Sequence, residues 1–203
     1  KIKNIKTVNM GMLFLSFVIA LFTSTSLSFV RIFFDKGMIS ENMLQEISRL
    51  TVFYSWSTLA VFIYLIFGMA LLSSNKSKKY AFWGVMAQIT SISMNFIFIN
   101  SIGIYIFPIS LLVSHFIMGT IMSLNFPYKS KVLAKVFFKY ILILILTTLF
   151  VFIINKFLNI QINSFLNIAS NSMLILVIIM LFVVLFNLEE KKIIFIYFKK
   201  IVQ

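Results

Sequence analysis

The chain has no cysteine, two prolines, six glycines, one histidine and five acidic residues in 203 positions. Without cysteine it has no disulfide frame, no thiolate nucleophile and no soft metal site. One histidine and five scattered acids do not build a transition-metal centre, and no nucleotide-binding motif is present, so neither metal nor cofactor is expected. The acids, Asp35, Glu41, Glu46, Glu189 and Glu190, all lie outside the long apolar runs. A Ser/His/Asp set at membrane depth is therefore excluded. So few glycines also argue against a transporter core built on broken helices.

What the chain has instead is apolar surface. Hydrophobic residues make up 61% and charged residues 11%, against roughly 25% charged in an ordinary soluble domain, and mean hydropathy is +1.06. Such a composition exceeds what a water-facing surface tolerates and predicts an integral membrane protein: all-α, a polytopic helical bundle forming one transmembrane domain over 1–203. The formal net charge of +13 is carried in short clusters between apolar runs. That placement fits membrane lipids as partners, not nucleic acid. Heavy use of Ile, Phe, Lys and Asn points to an AT-rich bacterial genome and a bacterial cell membrane.

A helix rises about 1.5 Å per residue and needs roughly 20 apolar residues to cross the hydrocarbon core. About six segments meet this, near 10–34, 51–72, 80–100, 102–124, 140–154 and 163–186. Lys1, Lys3 and Lys6 before an apolar run resemble the start of a signal peptide, but the run is too long and lacks a small-residue cleavage site, so it reads as an uncleaved first span. The third and fourth segments are separated only by Asn100, Ser101 and Gly103, a turn that makes them a helical hairpin.

Orientation follows from the basic residues. One side holds Lys1, Lys3, Lys6, Lys76, Lys78, Lys79, Lys129, Lys131, Lys135, Lys139, Lys191, Lys192, Lys199 and Lys200. The other holds only Arg31, Lys36, Arg49 and Lys156. Because positive loops are retained in the cytoplasm, the lysine-rich side is inside and both termini face in.

Three stretches read as surface helices. Ser40 can cap a short outer helix whose Met43, Ile47 and Leu50 share one face, with Glu46 and Arg49 turned to water. Lys131, Lys135 and Lys139 recur every four residues beside Leu133, Val136 and Phe137, an interfacial pattern that 189–203 repeats. Snorkelling lysines account for both, with docking of a cytoplasmic partner as the other reading.

Inside the spans, polarity collects toward the outer half. Thr51, Ser55 and Thr58 open the second span; Gln88, Ser91 and Asn95 share a face of the third; Ser110, Ser114 and His115 lie in the fourth after Pro108; Asn163, Asn167 and Asn171 recur at intervals of four in the sixth. Such groups either join helices by hydrogen bonds or line a pocket open to the outside. The second reading makes Ser55, Thr58, Gln88, Asn95, His115, Asn167 and Asn171 ligand-binding residues. His115 is the one side chain in a span that titrates near neutral pH, and it reads either as a packing residue held by Ser114 and Ser110 or as a proton carrier. Ser16, Ala20, Ser24 and Ser28 form a small-residue stripe, a surface for close helix approach within the chain or from a partner subunit.

Two families are similar in layout. Size, six spans, inward termini and outward polarity resemble the S components of energy-coupling-factor importers, in which a stripe comparable to Ser16, Ala20 and Ser24 contacts the energising subunit. That resemblance implies a transport or binding subunit whose ATPase is a separate chain. Glycine is scarcer here than in that family. The run Phe53-Tyr54-Ser55-Trp56-Ser57-Thr58-Leu59 together with His115 resembles the bacterial relatives of the androgen-induced intramembrane hydrolases. There the implied roles are Ser55 as nucleophile on a lipid-like ester and His115 as base, which requires the two within hydrogen-bond reach. The family's threonine nucleophile and the proline after its histidine are absent. A non-catalytic accessory or assembly protein is the third reading.

Overall fold

The computed structural model describes the backbone of residues 2–34, 39–158 and 163–186, and the side chains of all of these but 2–6, 127–132 and 158. Among the described residues there is no strand. The helices are α1 (Ile2–Phe34), α2 (Glu41–Leu72), α3 (Ser77–Ile102), α4 (Ile106–Ser123), α5 (Pro127–Leu158) and α6 (Ser164–Leu185), with a 3-10 turn at Gly103–Tyr105. Phe14, Phe96, Phe138, Phe157 and Leu185 turn outward on these helices, an apolar exterior that suits a hydrocarbon solvent rather than water.

Five helical stretches are long and apolar enough to cross a membrane: Thr7–Phe34, Glu41–Leu72, Ser77–Ser123, Leu133–Phe157 and Ser164–Leu185. The third of these holds two of the six segments expected from sequence. It is broken at Gly103, whose φ of 66° and ψ of −149° lie where a side chain is strained, and α3 and α4 pack side by side beyond the break. Asn100 and Ser101 belong to α3, so the turn is made by Gly103 and the residues after it.

Two of the expected surface helices are not separate elements. Ser40 does cap α2, its Oγ accepting from Met43 N at 3.4 Å, but the helix then runs unbroken to Leu72. Leu44 and Ser48 are its buried residues here, while Met43 is exposed. Likewise Lys135 and Lys139 belong to α5, which is continuous from Pro127 to Leu158. No glycine or proline interrupts α2 before Gly68 or α5 after Pro127, and extending a helix costs less than ending it and nucleating another. Helices of 32 residues measure about 48 Å, enough for a hydrocarbon core of about 30 Å and the headgroup layers. The Lys131 side chain and the 189–203 segment lie outside the described residues.

Contacts gather into two compact units, Ser40–Lys135 and the pair Lys1–Ile39 with Val136–Gln203. In the first, α4 packs against both α2 and α3. Ile63, Phe67, Leu71, Ile106, Met118 and Met122 form its interior. Close approach of α2 and α4 depends on Gly119, where an added Cβ would sit 3.2 Å from the Tyr64 backbone; Gly68 leaves room for the Tyr80 ring. α2 ends in a Schellman turn: Lys76 N donates to Leu71 O, Asn75 N donates to Leu72 O, and Asn75 takes φ 55°. In the second unit α1 packs on α6, and α5 meets α6 through Phe150 and Phe182, 5.9 Å between ring centroids. Met12, Ile19, Ile143, Leu144, Ile175 and Val183 are buried there.

Candidate functional site

In the α1/α5/α6 unit a chain of side-chain hydrogen bonds crosses all three helices. Asn155 Nδ2 on α5 donates to Asn171 Oδ1 on α6 at 2.8 Å. Asn171 Nδ2 donates to Asn167 Oδ1 at 2.7 Å and to the Asn167 carbonyl at 2.9 Å. Asn167 Nδ2 donates to Ser28 Oγ on α1 at 2.7 Å. A spacing of four puts Asn167 and Asn171 on one helix face, so each carboxamide hands its donor to the next acceptor. Asn171 is buried, Asn167 half-buried, and Asn155 exposed at the open end. Asn163 caps α6 by accepting from Phe165 N. The spacing of four was readable in the sequence. Asn155 was missed because the apolar run was ended at Ile154, although an amide beside a terminal Lys156 is the expected form of a polar span end.

The stripe on α1 faces inward. Ser16, Ala20 and Ser28 are buried within the chain, and Ser24 is half-buried. Ser16 donates to Met12 O at 2.8 Å and Ser24 to Ala20 O at 2.9 Å. Thr23 and Thr25 likewise donate one turn back, to Ile19 O and Leu21 O. These hydroxyls satisfy themselves on their own helix and need no second partner.

The α2/α3/α4 unit has its own polar clasp. Ser110 Oγ donates to Asn95 Oδ1 at 2.7 Å and lies 3.1 Å from Ser91 Oγ, which joins α4 to α3 just after Pro108. One turn on, His115 Nδ1 lies 2.9 Å from Leu111 O. A carbonyl only accepts, so Nδ1 is the donor of this pair. Ser114 Oγ is 3.2 Å from Nδ1, and the Tyr64 ring meets the imidazole edge-on at 5.0 Å. Gln88 and Thr58 are exposed on the apolar exterior. Ser55 is buried and donates to Val52 O at 2.7 Å, while Thr58 donates to Ser55 O.

The two residues of the hydrolase reading are not brought together. Phe53 meets Tyr105 and Tyr64 meets His115, so α2 and α4 run in the same direction with these pairs at matching levels. Ser55 then lies nine residues from the level of His115, about 13 Å along the axis at 1.5 Å per residue. Proton transfer needs a donor–acceptor distance of about 3 Å. Of the seven residues expected to bind ligand, Asn167 and Asn171 share the first hydrogen-bond chain and Asn95 belongs to the clasp. Ser55, Thr58, Gln88 and His115 join neither.

No protein family, no curated protein and no solved structure matches this chain.

Proposed function

We propose that the chain is a multi-pass protein of a cell membrane, with six spans and both ends in the cytoplasm, acting as a transport or ligand-binding subunit. The observation that carries this reading is the Asn155–Asn171–Asn167–Ser28 chain. Three carboxamides within apolar helices are costly to bury unless each is bonded, and the run ends in an exposed amide. Asn155 stands near the end of α5, Asn167 near the start of α6 and Ser28 near the end of α1, the end of this unit away from Lys139 in the first half of α5. That end is the outer one on the orientation given by the lysines. Groups of this kind exchange hydrogen bonds with a neutral polar solute or the polar part of an amphiphile. With no nucleotide-binding motif, ATP-driven work would fall to a partner subunit.

Solute uptake into proteoliposomes, paired with thermal unfolding of the purified chain, tests this. A neutral polar solute that raises Tm for the natural chain should lose that effect in Asn155→Ala, measured against the variant's own apo Tm, which falls because the buried Asn171 Oδ1 loses its donor. A panel in which no solute raises Tm or is taken up refutes the reading. The Ser55–His115 separation gives the hydrolase reading no support, and a fluorophosphonate should leave the protein unlabelled.

A further inference from the structure

At the lysine-bearing end of the α2/α3/α4 unit, Lys78, Lys79, Phe82, Trp83 and Asn125 line an open cleft of about 330 Å³. We infer that this cleft is a binding site for the phosphate headgroup of an anionic lipid, seated between the two lysines and the indole. The inference rests on the membrane reading above.

The geometry separates the parts a lipid needs. Positions 78 and 82, and 79 and 83, are four apart on α3, so each lysine neighbours an aromatic residue one turn along the helix. Phe82 and Trp83 meet edge to face at 4.9 Å, a fixed aromatic wall at the depth where indole rings favour the boundary between headgroups and hydrocarbon. Lys79 Nζ donates to Asn125 Oδ1 at 3.3 Å, which holds the ammonium over the cleft against a neutral acceptor. Lys76 is occupied elsewhere, 5.4 Å above the Phe126 ring.

The positive charge there is not compensated from within. Among the described residues of this unit the only carboxylates are Glu41 and Glu46, at the start of α2. They are separated from Lys78 by nearly the whole of that helix, far beyond a screening length of about 8 Å. A bound phosphate would supply the missing anion, and its acyl chains would lie along the exposed Phe82 face. The volume is at the lower end of what small-molecule sites occupy, which suits a headgroup and not a whole lipid.

The test uses the full chain with Trp56→Phe, which leaves Trp83 as the only tryptophan, in phosphatidylcholine vesicles with a rising fraction of brominated phosphatidylglycerol. Quenching should saturate at a low anionic fraction. Lys78→Gln with Lys79→Gln should move half-saturation at least fivefold higher, whereas Lys135→Gln with Lys139→Gln, an equal loss of charge, should leave it in place. Quenching that only follows bulk lipid fraction, or shifts equally in both double variants, overturns the site. Displacement by millimolar inorganic phosphate would assign the cleft to a soluble anion and overturn the lipid. Release of the natural chain from membranes by alkaline carbonate would remove the membrane reading itself.

Discussion

Asn167 on α6 and Ser28 on α1 stand 139 positions apart in the chain, and the amide nitrogen of the first lies 2.7 Å from the hydroxyl of the second. The bond fixes the relative height of α1 and α6, since a hydrogen bond, unlike apolar contact, has one length and one direction. In an apolar solvent such bonds contribute less than the cost of burying a free amide suggests, because the separated helices find other partners. A double-mutant cycle with Ser28→Ala and Asn167→Ala, followed by detergent-induced unfolding, should return a coupling of about 0.6 kcal/mol and no more than about 1.7. A coupling indistinguishable from zero would mean the bond is not formed.

The glycines of the other unit should rank by what they face. At Gly119 an added Cβ would lie 3.2 Å from the backbone of Tyr64, which cannot yield without moving α2 away from α4. At Gly68 the obstacle is closer, 2.5 Å, but it is the Cε2 edge of the half-exposed Tyr80 ring, which can swing aside. Gly119→Ala is expected to cost about 1–3 kcal/mol, as overpacking does. Gly68→Ala should cost less, and the additional change Tyr80→Ala should recover most of that loss. Unfolding of the three variants in one detergent series measures the order.

The helical class could be read from composition, and most helix positions from the length of apolar runs, because both express the same demand that backbone groups be bonded inside each segment. The polar spacing in α3 and α6 likewise announced that Asn95, Asn167 and Asn171 would look for partners. What the sequence did not reveal is which partners. Asn167 meets Ser28 and Asn95 meets Ser110 through tertiary packing, which no local pattern encodes. Continuity of α2 and α5 was hidden for another reason: a change from charged to apolar residues marks a change of surroundings, not an end of helix. Ser55 and His115 looked like partners by type, yet the parallel register of α2 and α4 sets them at different levels.

Thr147 on α5 is fully buried, and its Oγ1 has no hydrogen-bond partner. Most hydroxyls on these helices donate to a carbonyl three or four residues back, as Thr148 does to Ile145 at 2.9 Å. A buried hydroxyl left unpaired costs about 1–3 kcal/mol. Thr147→Val keeps the branched shape and removes the polar atom, so it should stabilise the protein by roughly 1 kcal/mol. A shift of the unfolding midpoint to higher denaturant shows the gain; a loss would mean that the hydroxyl is bonded.

The absence of cysteine makes the path of the chain directly measurable, since each introduced thiol is the only one. The stretch Ser77–Ser123 decides between five crossings and six. If α3 and α4 each cross, Ser74 and Leu124 flank the same side and Ser101 lies on the other. If the stretch crosses once, Ser74 and Leu124 lie on opposite sides. All three residues are exposed, so a thiol at each is open to a reagent. With a membrane-impermeant maleimide on intact cells, Ser101→Cys should label directly. Ser74→Cys and Leu124→Cys should label only after the membrane is permeabilised, because Lys76, Lys78 and Lys79 hold that end in the cytoplasm. Direct labelling at Leu124→Cys with protection at Ser74→Cys would reduce the crossings to five and invert the last part of the topology. Direct labelling at both would reverse the orientation and move the lysine cleft to the outer leaflet.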